Sequence, residues 1–161
     1  MFIVSLKATK KKVFITVCTL VMVLTVIVSV GSARLNKTSI TAHCECGDYQ
    51  LSASDNAERL QFLGQFGWRT ESEPCAHKTI TIPEQFNAAY EKYNEIQKEQ
   101  GLDLRKYAGK VCDSYTYQVM NYPNDKNVYA NLIVYDGCVI GGDVCSAELD
   151  GFMQGFFKDV K

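Results

Sequence analysis

Apolar residues are laid out along this chain in three patterns, and each predicts a different kind of element. The first is unbroken: Val13 to Ala33 is a run of 21 residues without a charge. As a helix rising about 1.5 Å per residue it spans about 31 Å, close to the hydrocarbon thickness of a bilayer. The second pattern is helical. From Asp55 to Phe66, residues Ala57, Leu60 and Leu63 share one side, with Asp55 and Glu58 spaced as a capping box and Gly67 at the left-handed end. A longer helix is expected to open at Pro83, where the missing N–H costs nothing, and to end at Gly101. Phe86, Ala89, Tyr90, Tyr93 and Ile96 form its apolar stripe. Leu102 to Tyr107 reads as a single capped turn.

The third pattern is alternation, the mark of strands with one covered face. Trp68–Ser72 and Lys78–Ile82 read as a hairpin joined through Pro74. Val111–Asn121, Val128–Tyr135 and Cys138–Cys145 follow, the last two flanking Asp136-Gly137, a strong two-residue hairpin signal. That turn sets Tyr135 opposite Cys138, Ile133 opposite Ile140 and Asn131 opposite Gly142, while Gly141-Gly142 signals a bulge or a close backbone approach. Gly151–Phe157 reads as a short terminal helix. Residues 34–54 show no period and read as a polar stalk. The fold class expected is α+β: an antiparallel sheet of about four to five strands against one long and one short helix, with the helices on one side, after an N-terminal transmembrane helix.

Charge gives the apolar run its meaning. Lys7, Lys10, Lys11 and Lys12 precede it with no acid, whereas residues 34–161 carry all 18 acidic residues and 13 of the 17 basic ones, a balance of −5. The positive flank predicts an N-terminus inside and the domain outside. Residues 1–12 are then a cytoplasmic basic segment, 13–33 a signal anchor in contact with membrane lipid, 34–54 the stalk and 55–161 the extracytoplasmic domain. Gly31-Ser32-Ala33 also fits a signal peptidase site, and cleavage after Ala33 would release the domain; the run exceeds the usual apolar core of a signal peptide, which favours the anchor. The acidic balance argues against nucleic acid as a partner.

Six of the seven cysteines (Cys44, Cys46, Cys75, Cys112, Cys138, Cys145) fall beyond the membrane run, where disulfides are the ordinary expectation. Cys138 and Cys145 lie too far apart along one strand to bond each other. His43, Cys44, Cys46, Cys75 and His77 form a candidate metal set, offering soft ligands to zinc or copper(I), though not at the spacing of structural zinc sites. No other cofactor is indicated. Cys145 beside Asp143, with His77 brought near by folding, would be the candidate group of a cysteine hydrolase. Tyr90, Tyr93, Tyr115, Tyr117, Tyr129 and Tyr135 suggest either an aromatic groove or an amphipathic core, and the core is favoured.

Several long stretches carry a resemblance. Phe62–Trp68, Ile82–Phe86, Tyr93–Gly101, Asp103-Leu104 and Gly141–Ser146 are similar to a bacterial family catalogued as domain of unknown function 4830, over about residues 55–157. The resemblance implies a small Gram-positive protein with an N-terminal membrane segment and one domain outside, and brings no functional residues. The expectation is therefore a membrane-anchored extracytoplasmic domain that binds or senses a protein or cell-envelope partner without catalysis. The alternative is a metal-handling protein or a cysteine-dependent enzyme.

Overall fold

The computed structural model describes residues 40–44 and 47–157. The run Val13–Ala33 lies outside them; among the described residues no helix is long and apolar enough to cross a membrane. Strand β1 (Thr41–Cys44) pairs with β2 (Gly47–Gln50) in a small antiparallel sheet. Helix α1 (Asn56–Gln65) follows, then β3 (Ala76–Thr81), helix α2 (Ala88–Glu99) and a 3-10 turn over Leu104–Tyr107. Strands β4 (Val111–Gln118), β5 (Val128–Tyr135), β6 (Cys138–Ser146) and β7 (Met153–Gln154) complete the chain. The main sheet is a five-stranded antiparallel meander in the order β3-β4-β5-β6-β7. The α+β class and the strand number agree with the sequence pattern.

The helices do not share a face. Successive strand residues point to opposite sides, and the two sides of β5 enter different cores. Leu132 and Val134 join Phe62 and Leu63 of α1 together with Tyr49, Leu51 and Phe156. Ile133 joins Ile82, Leu104 and Ile140, under Tyr90 and Tyr93 from α2 and Phe86 just before it. The central strands are thus covered on both sides, which explains why Val128–Val134 is apolar at odd and even positions alike.

Residues 40–53 are part of the globular unit rather than a stalk: Ala42, Tyr49, Leu51 and Ala53 are buried. Strands of four residues are too short for alternation to be legible. Trp68–Ser72 does not pair with β3; it gives only the bridge Thr70 to Val119, while β3 forms six pairs with β4. Pro74 between them has no N–H for a ladder. Gly151–Phe157 is not a helix: Met153-Gln154 pairs with Val144-Cys145, and two glycines in seven residues disfavour helix there. Helix α2 begins at Ala88, five residues after Pro83, and is capped by Asn87, whose side chain accepts from the Tyr90 N–H at 2.9 Å. Asp55 caps α1 as expected, and Glu58 reaches the N–H of Ser54 rather than that of the cap itself.

The Asp136-Gly137 turn has both residues at positive φ, +49° and +73°, as a type I′ hairpin requires. Beyond Tyr135 opposite Cys138 the register differs from the simple count. A bulge between Ile133 and Val134 leaves Ile140 as the extra residue, so Ile133 faces Gly141 and Asn131 faces Asp143.

Candidate functional site

The bulge in β6 meets the C-terminal half of α2, and the chemistry-bearing side chains of the domain gather there. A Cβ on Gly142 would lie 2.2 Å from the Asn131 carbonyl oxygen and 2.4 Å from Phe156 Cζ. Only glycine lets strand, neighbour and ring approach so closely. Two side chains at the C-terminal end of α2 and its cap take up the backbone polar groups of Gly142. Gln97 Oε1 accepts from the Gly142 N–H at 2.8 Å, and Gln100 Nε2 donates to the Gly142 carbonyl at 3.2 Å and to Gln97 Oε1 at 3.3 Å. Gln100 Oε1 accepts from the Phe156 N–H at 2.6 Å. One turn back, Asn94 donates to Asp103 and accepts from the Leu104 N–H, tying the 3-10 turn to the helix. Asn94 and Gln97 are fully buried. Neither belongs to the apolar stripe read from the sequence, so hydropathy gave no signal for them.

One residue on, Asp143 points at α2. The Tyr93 hydroxyl donates to its Oδ1 at 2.9 Å, and Asn131 Nδ2 donates to its Oδ2 at 3.0 Å and to Cys145 Sγ at 3.4 Å. Thr116 in turn donates to Asn131 Oδ1 at 2.8 Å. Burial holds the Asp143 carboxyl above its ordinary range, although the hydrogen bonds from Asn131, Tyr93 and Cys145 pull it back. Burial, then the Asp143 charge, push the Cys145 thiol up to about 11, which keeps it protonated and a poor nucleophile at neutral pH. Burial raises Tyr93 well above an ordinary phenol.

His77 does not join this group. The registers place His77 in a row with Tyr115, Leu132 and Gly142, and place Asp143 in the adjacent row with Asn131 and Thr116. Adjacent rows face opposite sides of the sheet. His77 stacks on Tyr115 at 4.4 Å between ring centroids and bonds Asp113 at 2.9 Å, while the Arg59 guanidinium sits 3.8 Å from the Tyr115 ring centre. The cysteine-hydrolase arrangement is therefore not assembled: Asp143 and Cys145 are neighbours, but the histidine is through the sheet from them.

The candidate metal set is also divided. His43 and Cys44 lie on β1, and His43 bonds Asp48 at 2.6 Å. The β1–β2 unit continues into residues that pair with the start of β6, through Val139 N–H to the Leu51 carbonyl and the Ser52–Cys138 bridge. Cys75 and His77 stand at the start of β3, three strands away, which is about 14 Å of backbone separation. Cys46 lies outside the described residues. Among the described residues no group of three or more His, Cys, Asp or Glu could hold a metal ion, and Cys44, Cys75, Cys112 and Cys145 are free thiols. The tyrosines divide likewise: Tyr115 and Tyr117 pack on the α1 side, Tyr90, Tyr93 and Tyr135 on the α2 side.

An open cleft of about 560 Å³ lies at the other end of β4, where the chain leaves the sheet toward β5. Val119, Met120 and Tyr122 line it together with the polar side chains Gln118, Asn124 and Lys126. Met120 is 57% exposed, one of several exposed large apolar side chains among the described residues. Tyr122 is stacked between Trp68 and Phe152, with ring centroids 6.1 and 4.8 Å away. The loop is braced from below by Asp125, which accepts from Ser146 Oγ at 2.6 Å and from the Asn127 N–H at 2.7 Å.

No curated protein and no solved structure matches this chain. A family model does match, over residues 62–144, which takes in the last turn of α1, the whole of α2 and the glycine bulge up to Val144. Since that segment is just over half of the 161 residues, the chain belongs to the family described as a domain of unknown function (DUF4830).

Proposed function

We propose that this protein is a membrane-tethered extracytoplasmic domain that binds a cell-surface partner without catalysis. The observation that carries the reading is the 21-residue charge-free run after four lysines, followed by a chain with all 18 acidic residues. A run of that length and flank retains a protein in the bilayer with its C-terminal part outside. Residues 13–33 then contact lipid, and the globular unit begins only a few residues beyond the membrane, because residues 40–53 belong to the core.

The non-catalytic part of the reading draws support from how the reactive groups are engaged. Asp143 spends both oxygens on neighbours, Cys145 is held protonated, and His77 belongs to a stack on the far face. The β4–β5 cleft, with its exposed Met120 and mixed lining, is the surface assigned to the partner, since clefts with apolar linings and a few polar groups are where proteins hold ligands.

Alkaline phosphatase joined behind Lys161 tests the address, since that reporter is active only outside the cytoplasm. Activity that stays with the membrane pellet after carbonate washing supports the reading; an inactive fusion, or one found in the soluble fraction, overturns it.

A further inference from the structure

The α2–β6 seam contains a carboxylate whose burial nothing cationic offsets. Asp143 is 3% exposed, and every group that touches it is formally neutral. Helix α2 presents Tyr93, with Tyr90 behind it; β5 presents Asn131 and Tyr129; β4 presents Thr116; β6 itself presents Cys145. The ion pairs among the described residues are His43–Asp48, His77–Asp113 and Arg105–Glu91, and none includes Asp143. A buried negative charge held only by neutral donors is costly, whereas the protonated acid in the same place costs little. In the acid form the unprotonated oxygen still accepts from one of the two donors, and the hydroxyl has the Cys145 sulfur nearby as a weak acceptor, so the loss of charge-assisted bonding is set against the larger cost of burying the charge.

We propose that Asp143 is an acid-strengthened latch: protonation of this one carboxyl removes the cost of a buried, unpaired charge at the α2–β6 seam, so the folded domain becomes more stable as its surroundings acidify. The direction follows from linkage. A group whose folded-state pKa lies above its unfolded value contributes stability that is fully present below the unfolded value and is lost as pH rises through the folded one. Burial shifts Asp143 in that direction. The window therefore opens at the ordinary aspartate range and extends upward. Tyr93 and Cys145 stay protonated through it and do not obscure it.

Urea unfolding of the full chain in mild detergent, followed by fluorescence of Trp68, the single tryptophan, tests the latch. Wild type and Asp143→Asn are compared between about pH 5 and pH 7.5. The wild-type midpoint should rise relative to the variant as pH falls, by on the order of half a molar urea. Tyr93→Phe, which removes one donor to the carboxylate, should make the wild-type trend steeper. Midpoints that run parallel for wild type and Asp143→Asn overturn the proposal. If Asp143→Asn does not fold, carboxyl carbon chemical shifts of aspartate-labelled wild-type protein decide: Asp143 must protonate at higher pH than the exposed aspartates, and titration together with them refutes the latch.

Discussion

Replacing Gln97 with leucine isolates the contribution of the amide that serves the bulge. The side chain is fully buried, and leucine fills similar space, so the packing of α2 against β6 is largely kept. What is lost is one acceptor for two donors. The buried Gly142 N–H, bonded to Gln97 at 2.8 Å, is left without its acceptor. Gln100 Nε2, at 3.3 Å, keeps its second partner, the Gly142 carbonyl. Leaving a buried donor unsatisfied costs about 1–3 kcal/mol, with the upper part of that range for the amide that loses everything and the lower part for Gln100. The sum is about 2–4 kcal/mol, a large share of the 5–15 kcal/mol that ordinarily separates folded from unfolded domains. Equilibrium urea unfolding read from Trp68 measures it, with exposed Gln61→Leu on α1 as the control expected within about 0.5 kcal/mol of wild type. A Gln97→Leu protein that loses less than about 1 kcal/mol with an unchanged denaturant slope would refute the assignment of Gln97 as the bulge's partner.

Other consequences can be checked with the same material. Gly142→Ala should cost about 3 kcal/mol or more in thermal or urea unfolding, because its Cβ has no space between Asn131 and Phe156. Cys75 is exposed whereas the Cys145 thiol is held near 11, so brief alkylation at pH 8 should modify Cys75 and spare Cys145 until denaturant is added; peptide mass spectrometry reads the order. Asp103 is held below the ordinary aspartate range, first by the hydrogen bond from Asn94, so its contribution is present above the unfolded value and lost as pH falls through the folded one. Asn94→Ala should accordingly flatten the acid end of the stability profile, besides removing the acceptor of the Leu104 N–H at a cost of about 1–3 kcal/mol. Elemental analysis of the purified chain addresses metal handling: zinc or copper at one equivalent, lost on Cys44→Ser or Cys75→Ser, would move the functional reading to that alternative.

What could be read from the sequence was local. The Asp136-Gly137 hairpin depends on two residues that tolerate positive φ, and the α1 cap depends on Asp55 and Glu58, three positions apart. Gly141-Gly142 announced a disturbance in β6, and a bulge is there. The adjacency of Asp143 and Cys145 on one face followed from strand period alone. The partners of those groups did not, because they are set by register. One extra residue at Ile140 moves Asn131 from Gly142 to Asp143, and with it the whole network. Asn94, Gln97 and Gln100 were illegible for a related reason: an amide belongs in the core only when a bulge elsewhere leaves backbone groups for it to satisfy. His77 and Cys75 shared a short stretch with no sign of which sheet face each would take. The short β1–β2 pair went unseen because its core contribution rests on Ala42 and Tyr49 alone.

The central claim, a domain held at the outer face of a membrane, is met most directly by protease treatment of intact spheroplasts expressing the full chain with a C-terminal epitope, followed by carbonate washing of the membranes. The account predicts that the chain remains in the washed pellet when protease is absent, and that protease removes the epitope without lysis. An epitope protected until the cells are lysed, or a chain recovered in the carbonate supernatant, would contradict it.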